Sequence, residues 1–401
     1  MALYRPAFSC AIFIHIFAIE QLFAAHIRYF FVNQTAINYF VATILVIAVV
    51  SSATLKKSQK LKLPKELAIY LSLLALVSIS TTWSKDPTSL HQIVIAAPYI
   101  CSSIMVMLIL RYTNDLKGFT LGLVVIGLPL VLAIAMSPYF GVRGIRIPWA
   151  LDQYGNHLLL NYLQIGFSAG VLLISASRPI GVFPLNLDRV VRLAAAVLAI
   201  YVLVKSGARG QTVFAIAAVV LASAIDKRLQ PKHLITLVIL SGSFILISFE
   251  FVSLLWEERG SNRWSSEKLL SDTNGRLEIA FEGLAEWQGG VITLLLGLGY
   301  YSIHYSTGSY PHVVPLEVLA EEGLVGFLLL FSLTISFGVK LTKLLRRPSV
   351  DGKLRASNFV LAAMFLFSFL LIFKQGTVLA NNLFFLFGLL ICVEQARRRT
   401  S

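Results

Sequence analysis

Charge is scarce in this sequence and cysteine nearly absent. Only 13% of the 401 residues are Asp, Glu, Lys or Arg, against 57% hydrophobic, and the mean hydropathy is +0.78. So few charges cannot clothe a water-soluble surface, which leaves an integral membrane protein. The three cysteines (Cys10, Cys101, Cys392) lie in apolar runs without paired or metal-ligand spacing, so neither disulfides nor a zinc site is expected. The sequence has no HExxH, P-loop, GxSxG or dinucleotide fingerprint, and we expect no cofactor. Strict apolar–polar alternation is missing too, which excludes a transmembrane β-barrel. Acidic residues are the rarer sign, 20 against 34 Lys and Arg, giving +14. That excess sits in short clusters beside apolar runs and does not argue for nucleic acid.

What is present is apolar runs. A helical span needs about 20 mostly apolar residues. About twelve qualify: 7–25, 34–54, 66–82, 91–110, 118–136, 156–176, 190–205, 210–225, 233–255, 314–340, 357–373 and 377–394. The expectation is an all-α, polytopic membrane protein forming one domain over 1–401. The first run lacks a basic start and a small-residue cleavage site, so it reads as a retained helix. With both termini placed in the cytoplasm, every long basic cluster falls inside: Lys56 to Lys65, Lys340 to Arg355 and Arg397 to Arg399. The long polar stretch 256–313 then faces outward.

Basic residues on that outer side need a reason. Six are arginines: Arg143, Arg146, Arg209, Arg259, Arg263 and Arg276. The planar guanidinium fork fits phosphate oxygens and stays charged, although surface arginines also snorkel or meet lipid headgroups without specificity. Arg209 lies in a tight glycine-flanked turn, Ser206-Gly207-Ala208-Arg209-Gly210, one helical turn after Lys205. Arg276 follows Thr273 and Asn274, either of which is a plausible N-cap, and so opens a helix. In that helix Leu277, Ala280, Phe281, Leu284 and Trp287 form an apolar stripe, while Glu278, Glu282 and Glu286 share another face. Gly289-Gly290 ends it, and Val291–Leu298 is too short to span. His312 follows Tyr310-Pro311 at the entrance of the next apolar run, where the helix dipole favours a neutral ring able to accept a proton. Catalytic candidates are His312, Arg209 and Arg276. Substrate-binding candidates are Arg143, Arg146, Lys205, Arg259, Arg263, Tyr310 and Glu317.

In their order these segments resemble the O-antigen polymerase/ligase superfamily of membrane glycosyltransferases. The matching stretches are Ser206-Gly207-Ala208-Arg209-Gly210, Asn274-Gly275-Arg276 with Trp287, Gly297-Leu298-Gly299-Tyr300, Tyr310-Pro311-His312, Leu316-Glu317 and Glu321-Glu322-Gly323-Leu324-Val325-Gly326. Trp83-Ser84-Lys85-Asp86-Pro87 and Gly155-Asn156-His157 are in the same style. The similarity covers roughly residues 80–330, and no single motif is specific. It implies a glycan donor carried on undecaprenyl pyrophosphate at the periplasmic face of the bacterial inner membrane, a glycan acceptor, and inverting transfer without a metal. It assigns phosphate binding to Arg209 and Arg276 and activation of the acceptor hydroxyl to His312. Family members often carry Asn after that histidine, where this chain has Val313, which puts any role of that side chain in doubt.

Within the resemblance, Tyr-Pro-His followed by Leu-Glu and Glu-Glu-Gly leans toward a polymerase that lengthens lipid-linked repeat units. A ligase would share the donor and use lipid A-core as acceptor. Membrane lipids are expected partners, and a chain-length regulator is left open. A lipid-linked-glycan transporter is the competing class, but it predicts internal repeats and charges within spans. Here no clear repeat relates the halves, and the polar residues of interest gather on one face.

Overall fold

The computed structural model describes residues 6–26, 63–141, 143–151, 155–179, 184–226, 266–310, 312–346 and 352–400. The expected spans at 34–54 and 233–255, together with Arg259 and Arg263, lie outside the described residues. The protein is mostly helical and membrane-embedded by character. Five helices are long and apolar enough to cross a bilayer: Pro6–His26 (α1), Ser89–Thr113 (α3), Leu116–Met136 (α4), Gly323–Arg346 (α12) and Gly352–Leu371 (α13). Tyr162–Ala176 (α5) and Arg209–Ile225 (α7) are apolar but shorter. Lys65–Ser80 (α2), Leu185–Lys205 (α6) and Asn382–Thr400 (α14) complete the longer apolar helices.

Two of the expected spans are broken by other structure. The run at 156–176 does not start as helix. It begins as strand β3 (His157–Asn161), the edge of a three-stranded antiparallel sheet with β1 (Phe140–Gly141) and β2 (Gly144–Leu151), and becomes α5 only where Asn161 caps it by accepting from Leu163 N. The run at 314–340 is two helices, Val314–Glu321 (α11) and α12, broken at Gly323 with φ +67°.

Contacts divide the chain into two compact units. The first (1–57, 108–264, 345–367) packs α1 on α4, and α5 on α6 and α7. Its core is Ala18, Val131, Ile134, Ile165, Ala169, Leu172, Ala199 and Val202. Small residues permit the close approach, as where a side chain at Gly166 would meet Ala208 Cβ at 2.4 Å. Along α6, Val190, Leu193 and Val197 stay exposed, an apolar stripe that suits lipid.

The second unit (58–107, 265–344, 368–401) holds α2, α12 and α14 together. Tyr70 stacks on Phe385 with ring centres 4.5 Å apart. Glu66, fully buried, accepts from Ser336 Oγ at 2.7 Å and pairs with Lys340 Nζ at 2.7 Å. Short helices follow Ser266–Trp287 (α8): Val291–Leu296 (α9) and Ser302–Thr307 (α10). Gly297, Gly299 and Gly323 all take positive φ where backbone meets backbone. A Cβ at Gly323 would sit 2.3 Å from Leu295 O, and one at Gly297 2.1 Å from Glu321 O. Only glycine fits there.

Gly323→Ala should therefore destabilise the protein by about 1–3 kcal/mol. Gly338→Ala, inside α12 with open space around its Cβ, should be neutral or slightly stabilising. Thermal unfolding in detergent distinguishes the two.

Candidate active site

The second unit gathers most of the chemistry. α8 runs on through Thr273, Asn274 and Gly275, so Arg276 is ten residues into the helix and does not open it, contrary to the capping signal. The buried face matches the expected stripe in part, with Leu284 and Trp287 half-buried. Ala280 and Gly283 face inward, Gly283 against Ile303, whereas Phe281 is exposed. Arg276 lies on the inward side, half-buried. Its Nη1 donates to Lys374 O at 2.8 Å, in the turn between α13 and α14. That bond anchors the guanidinium and is the hydrogen bond it makes among the described residues, leaving further donors of the fork for a ligand.

His312 sits between the chain at Tyr310 and the start of α11, with φ +56°. Its Nδ1 is buried and has no hydrogen-bond partner among the described residues. Burial, and then the Arg276 charge, hold its pKa below the ordinary histidine value of 6.5, so the ring is neutral at pH 7. Beside it three aromatic rings form a ladder. Tyr301 stacks on His304 at 4.5 Å, Tyr301 lies 5.3 Å from Tyr310, and Tyr310 is 6.1 Å from His312. Tyr301 and His304 are the half-buried rings of this ladder and Tyr310 its buried one.

Beneath the ladder are three fully buried carboxyls, Glu317, Glu321 and Glu322. α11 lies before the α12 span and carries the first two. Glu321 binds the loop together, accepting from Tyr301 N (2.9 Å), Ile303 N (3.0 Å) and Tyr310 Oη (3.1 Å). Burial raises its pKa to about 7 against these three lowering bonds. Glu317 accepts from Val378 N at 2.9 Å. Burial and the neighbouring Glu321 push it well above the carboxylate range. Glu322, both of whose oxygens lack a partner among the described residues, is raised by burial and by the other two carboxyls. Tyr310 is buried and its hydroxyl held protonated by burial and by Glu317. Tyr310 and Glu317 are thus part of the scaffold under the ring surface.

Two sequence segments meet here as well. Tyr300 N donates to Ser80 Oγ (3.1 Å), Ser84 Oγ donates to Tyr300 O (2.6 Å), and Lys85 N donates to Ser302 Oγ (3.1 Å). The Trp83–Pro87 stretch and Gly297-Leu298-Gly299-Tyr300 are one joint. Asp86 Oδ2 faces His304 Nδ1 at 3.4 Å, and Lys85 pairs with Glu286.

The first unit holds the other basic candidates. α6 ends at Lys205, Gly207 turns with φ +69°, and α7 begins at Arg209, which is buried. Lys205 Nζ donates to Tyr201 Oη at 3.1 Å and lies 4.9 Å from the Phe140 ring centre. Arg143 N donates to Ser206 O at 3.2 Å, which brings the β1–β2 turn onto the same hairpin. Arg143 and Arg146 are exposed. Among the described residues no His, Cys, Asp and Glu group has metal-ligand geometry. Sequence reading passed over Tyr301, His304, Asp86 and Lys374. His304-Tyr305 beside Tyr300-Tyr301 was the available signal, an aromatic and histidine concentration in a polar loop.

No protein-family model matches the chain, and no curated protein matches it.

Glu321→Gln removes an acceptor and places an amide NH2 against a donor, so it should cost about 1–3 kcal/mol. The sign of the pH effect follows from the raised pKa. The folded protein keeps the Glu321 proton longer than the unfolded chain, so stability from this group falls between pH 4.5 and about 7 and is level beyond. Melting temperatures at about pH 5 and about pH 7.5 should differ less in the variant than in wild type.

Proposed function

We propose that this chain is a membrane glycosyltransferase that takes a glycan from an undecaprenyl-pyrophosphate carrier and polymerises O-antigen or related surface-polysaccharide repeat units. On this reading it works at the periplasmic face of the bacterial inner membrane and needs no metal. The observation that carries the reading is the pairing of Arg276, anchored through Lys374 O, with a His312 ring held neutral by burial and by that same charge. One group suits a growing anion and the other accepts a proton.

The acceptor hydroxyl oxygen attacks the anomeric carbon while the bond from that carbon to the pyrophosphate oxygen breaks. The hydroxyl proton passes to His312. The electron pair leaves with the pyrophosphate, whose charge is met by guanidinium donors already fixed in place. Attack opposite the leaving group inverts the centre. The resemblance also assigns carrier phosphate to Arg209, which lies in the first unit with Lys205 and Arg143. Tyr301 and His304 offer ring faces to the glycan, with Tyr310 packed beneath them. Positioning of two membrane-held substrates accounts for much of the rest.

The test uses purified protein with a lipid-pyrophosphate-linked repeat unit as sole substrate. A ladder of longer lipid-linked glycans with released carrier pyrophosphate is the expected result. Transfer only after lipid A-core is added moves the assignment to a ligase, and silence in both leaves a transporter.

His312→Ala should lower the rate by about 10²–10⁴-fold. Arg276→Ala and Arg209→Ala should each lower it by at least about 10²-fold. All three should insert normally. Full activity in the His312 variant removes the proposed base. The wild-type rate should fall only as pH drops through the lowered His312 pKa, that is below the usual 6.5.

A further inference from the structure

A cleft in the first unit is unused by glycosyl transfer. It is a small, open-sided cleft of about 40 Å³ whose polar rim is Lys117, Thr120, Arg178, Lys353 and Ser357. Lys117 stands in the first turn of α4, Lys353 in the first turn of α13, and Arg178 two residues past the end of α5. Three separate helices thus bring a cation to one place. These are loops that the charge distribution of the sequence assigns to the cytoplasm.

Two carboxylates stand nearby among the described residues. Asp115 caps α4, accepting from Gly118 N at 2.8 Å. Asp226 is bonded to Arg355 at 2.8 and 3.3 Å and also forms a longer ion pair with Arg178 at 3.8 Å. Lys117, Arg178, Lys353 and Arg355 therefore outnumber Asp115 and Asp226. The Arg178 guanidinium is oriented by the Phe359 ring, 3.8 Å below it. Thr120 Oγ1 and Ser357 Oγ, 3.0 Å apart, join α4 to α13 across the cleft floor.

Along α4 the lining passes from Lys117 through Thr120 and Leu121 to Val124, one helix face that goes from charged to hydroxyl to apolar within two turns. Val360 continues the apolar wall on α13. A soluble anion would need the polar rim alone, whereas this gradient follows a lipid from headgroup to acyl chain.

We propose that the cleft binds a phosphate ester, taken from the headgroup of an acidic phospholipid in the cytoplasmic leaflet. Lys117, Arg178 and Lys353 meet the phosphate oxygens, the hydroxyls of Thr120 and Ser357 lie beside them, and the first acyl carbons run along Leu121, Val124 and Val360. The site lies in the cytoplasmic loops and is independent of the transfer reaction.

The test is native mass spectrometry of the full chain in detergent, titrated with short-chain phosphatidylglycerol, phosphatidylcholine or inorganic phosphate. One phosphatidylglycerol per chain, retained above phosphatidylcholine, is expected. Lys117→Gln with Lys353→Gln should weaken it by about tenfold or more. Lys117→Arg with Lys353→Arg should keep it, as should Lys343→Gln, which is outside the cleft. If the glutamine pair does not fold, Thr120→Glu supplies the disruption by adding a carboxylate to the rim. Saturable binding of inorganic phosphate at the strength of the lipid, lost in the glutamine pair, keeps the phosphate site and makes its source soluble. No preference for the acidic lipid, or equal retention by wild type and the folded glutamine and Thr120→Glu variants, overturns the proposal.

Discussion

Backbone pressed directly on backbone is the constraint from which the second unit follows. Gly297, Gly299 and Gly323 take left-handed conformations where a Cβ would lie 2.1–2.7 Å from Glu321, Ser80, Ser84 or Leu295 atoms. Because nothing intervenes, Leu298 N and Gly299 N reach Ala320 O and Glu321 O at 2.9 Å each. Those bonds bring the Glu321 carboxyl under the loop, where it collects two backbone amides and the Tyr310 hydroxyl. The ring ladder stands on that carboxyl, and His312 stands beside the ladder.

The same closeness sets the electrostatics. Three carboxyls shut away from water within a stretch of six residues cannot all ionise, and their pKa values move upward together. The floor of the site thus carries less negative charge than its three carboxyls would in water. Among the described residues Arg276 is held by a backbone carbonyl, Lys374 O, and His312 stays uncharged through burial and guanidinium proximity. A positive group thus stands beside a neutral proton acceptor.

Hydrophobic runs made the helices legible. The ends of α1, α3 and α4 fall close to the apolar runs because a bilayer-length helix is specified by composition more than by detail. Other features were hidden. Asn274-Gly275 is a turn signal, yet α8 passes through it because packing of Ala280 and Gly283 against neighbouring elements overrides a weak local preference. The break at Glu322–Gly323 lies within a continuous apolar run and depends on a distant partner, the backbone at Leu295 to Gly297, which no local window contains. The strand at His157–Asn161 reads as span because its pairing with β2 is likewise non-local. Arg276 and His312 were visible as chemistry-bearing residue types. Their mutual effect, and the Glu321 bonds beneath them, are properties of the folded chain.

The positive φ of His312 carries a consequence for the substitutions this position can tolerate. Left-handed backbone is open to glycine and reasonably so to asparagine, and closed to β-branched residues. The backbone thus restricts the residue types available at 312 before any chemistry does. An alanine there changes two things together, the imidazole and the comfort of the turn, whereas glycine or asparagine removes the ring and leaves the turn its preferred shape. Loss of function in those two, with the chain path kept, can be read as the imidazole alone.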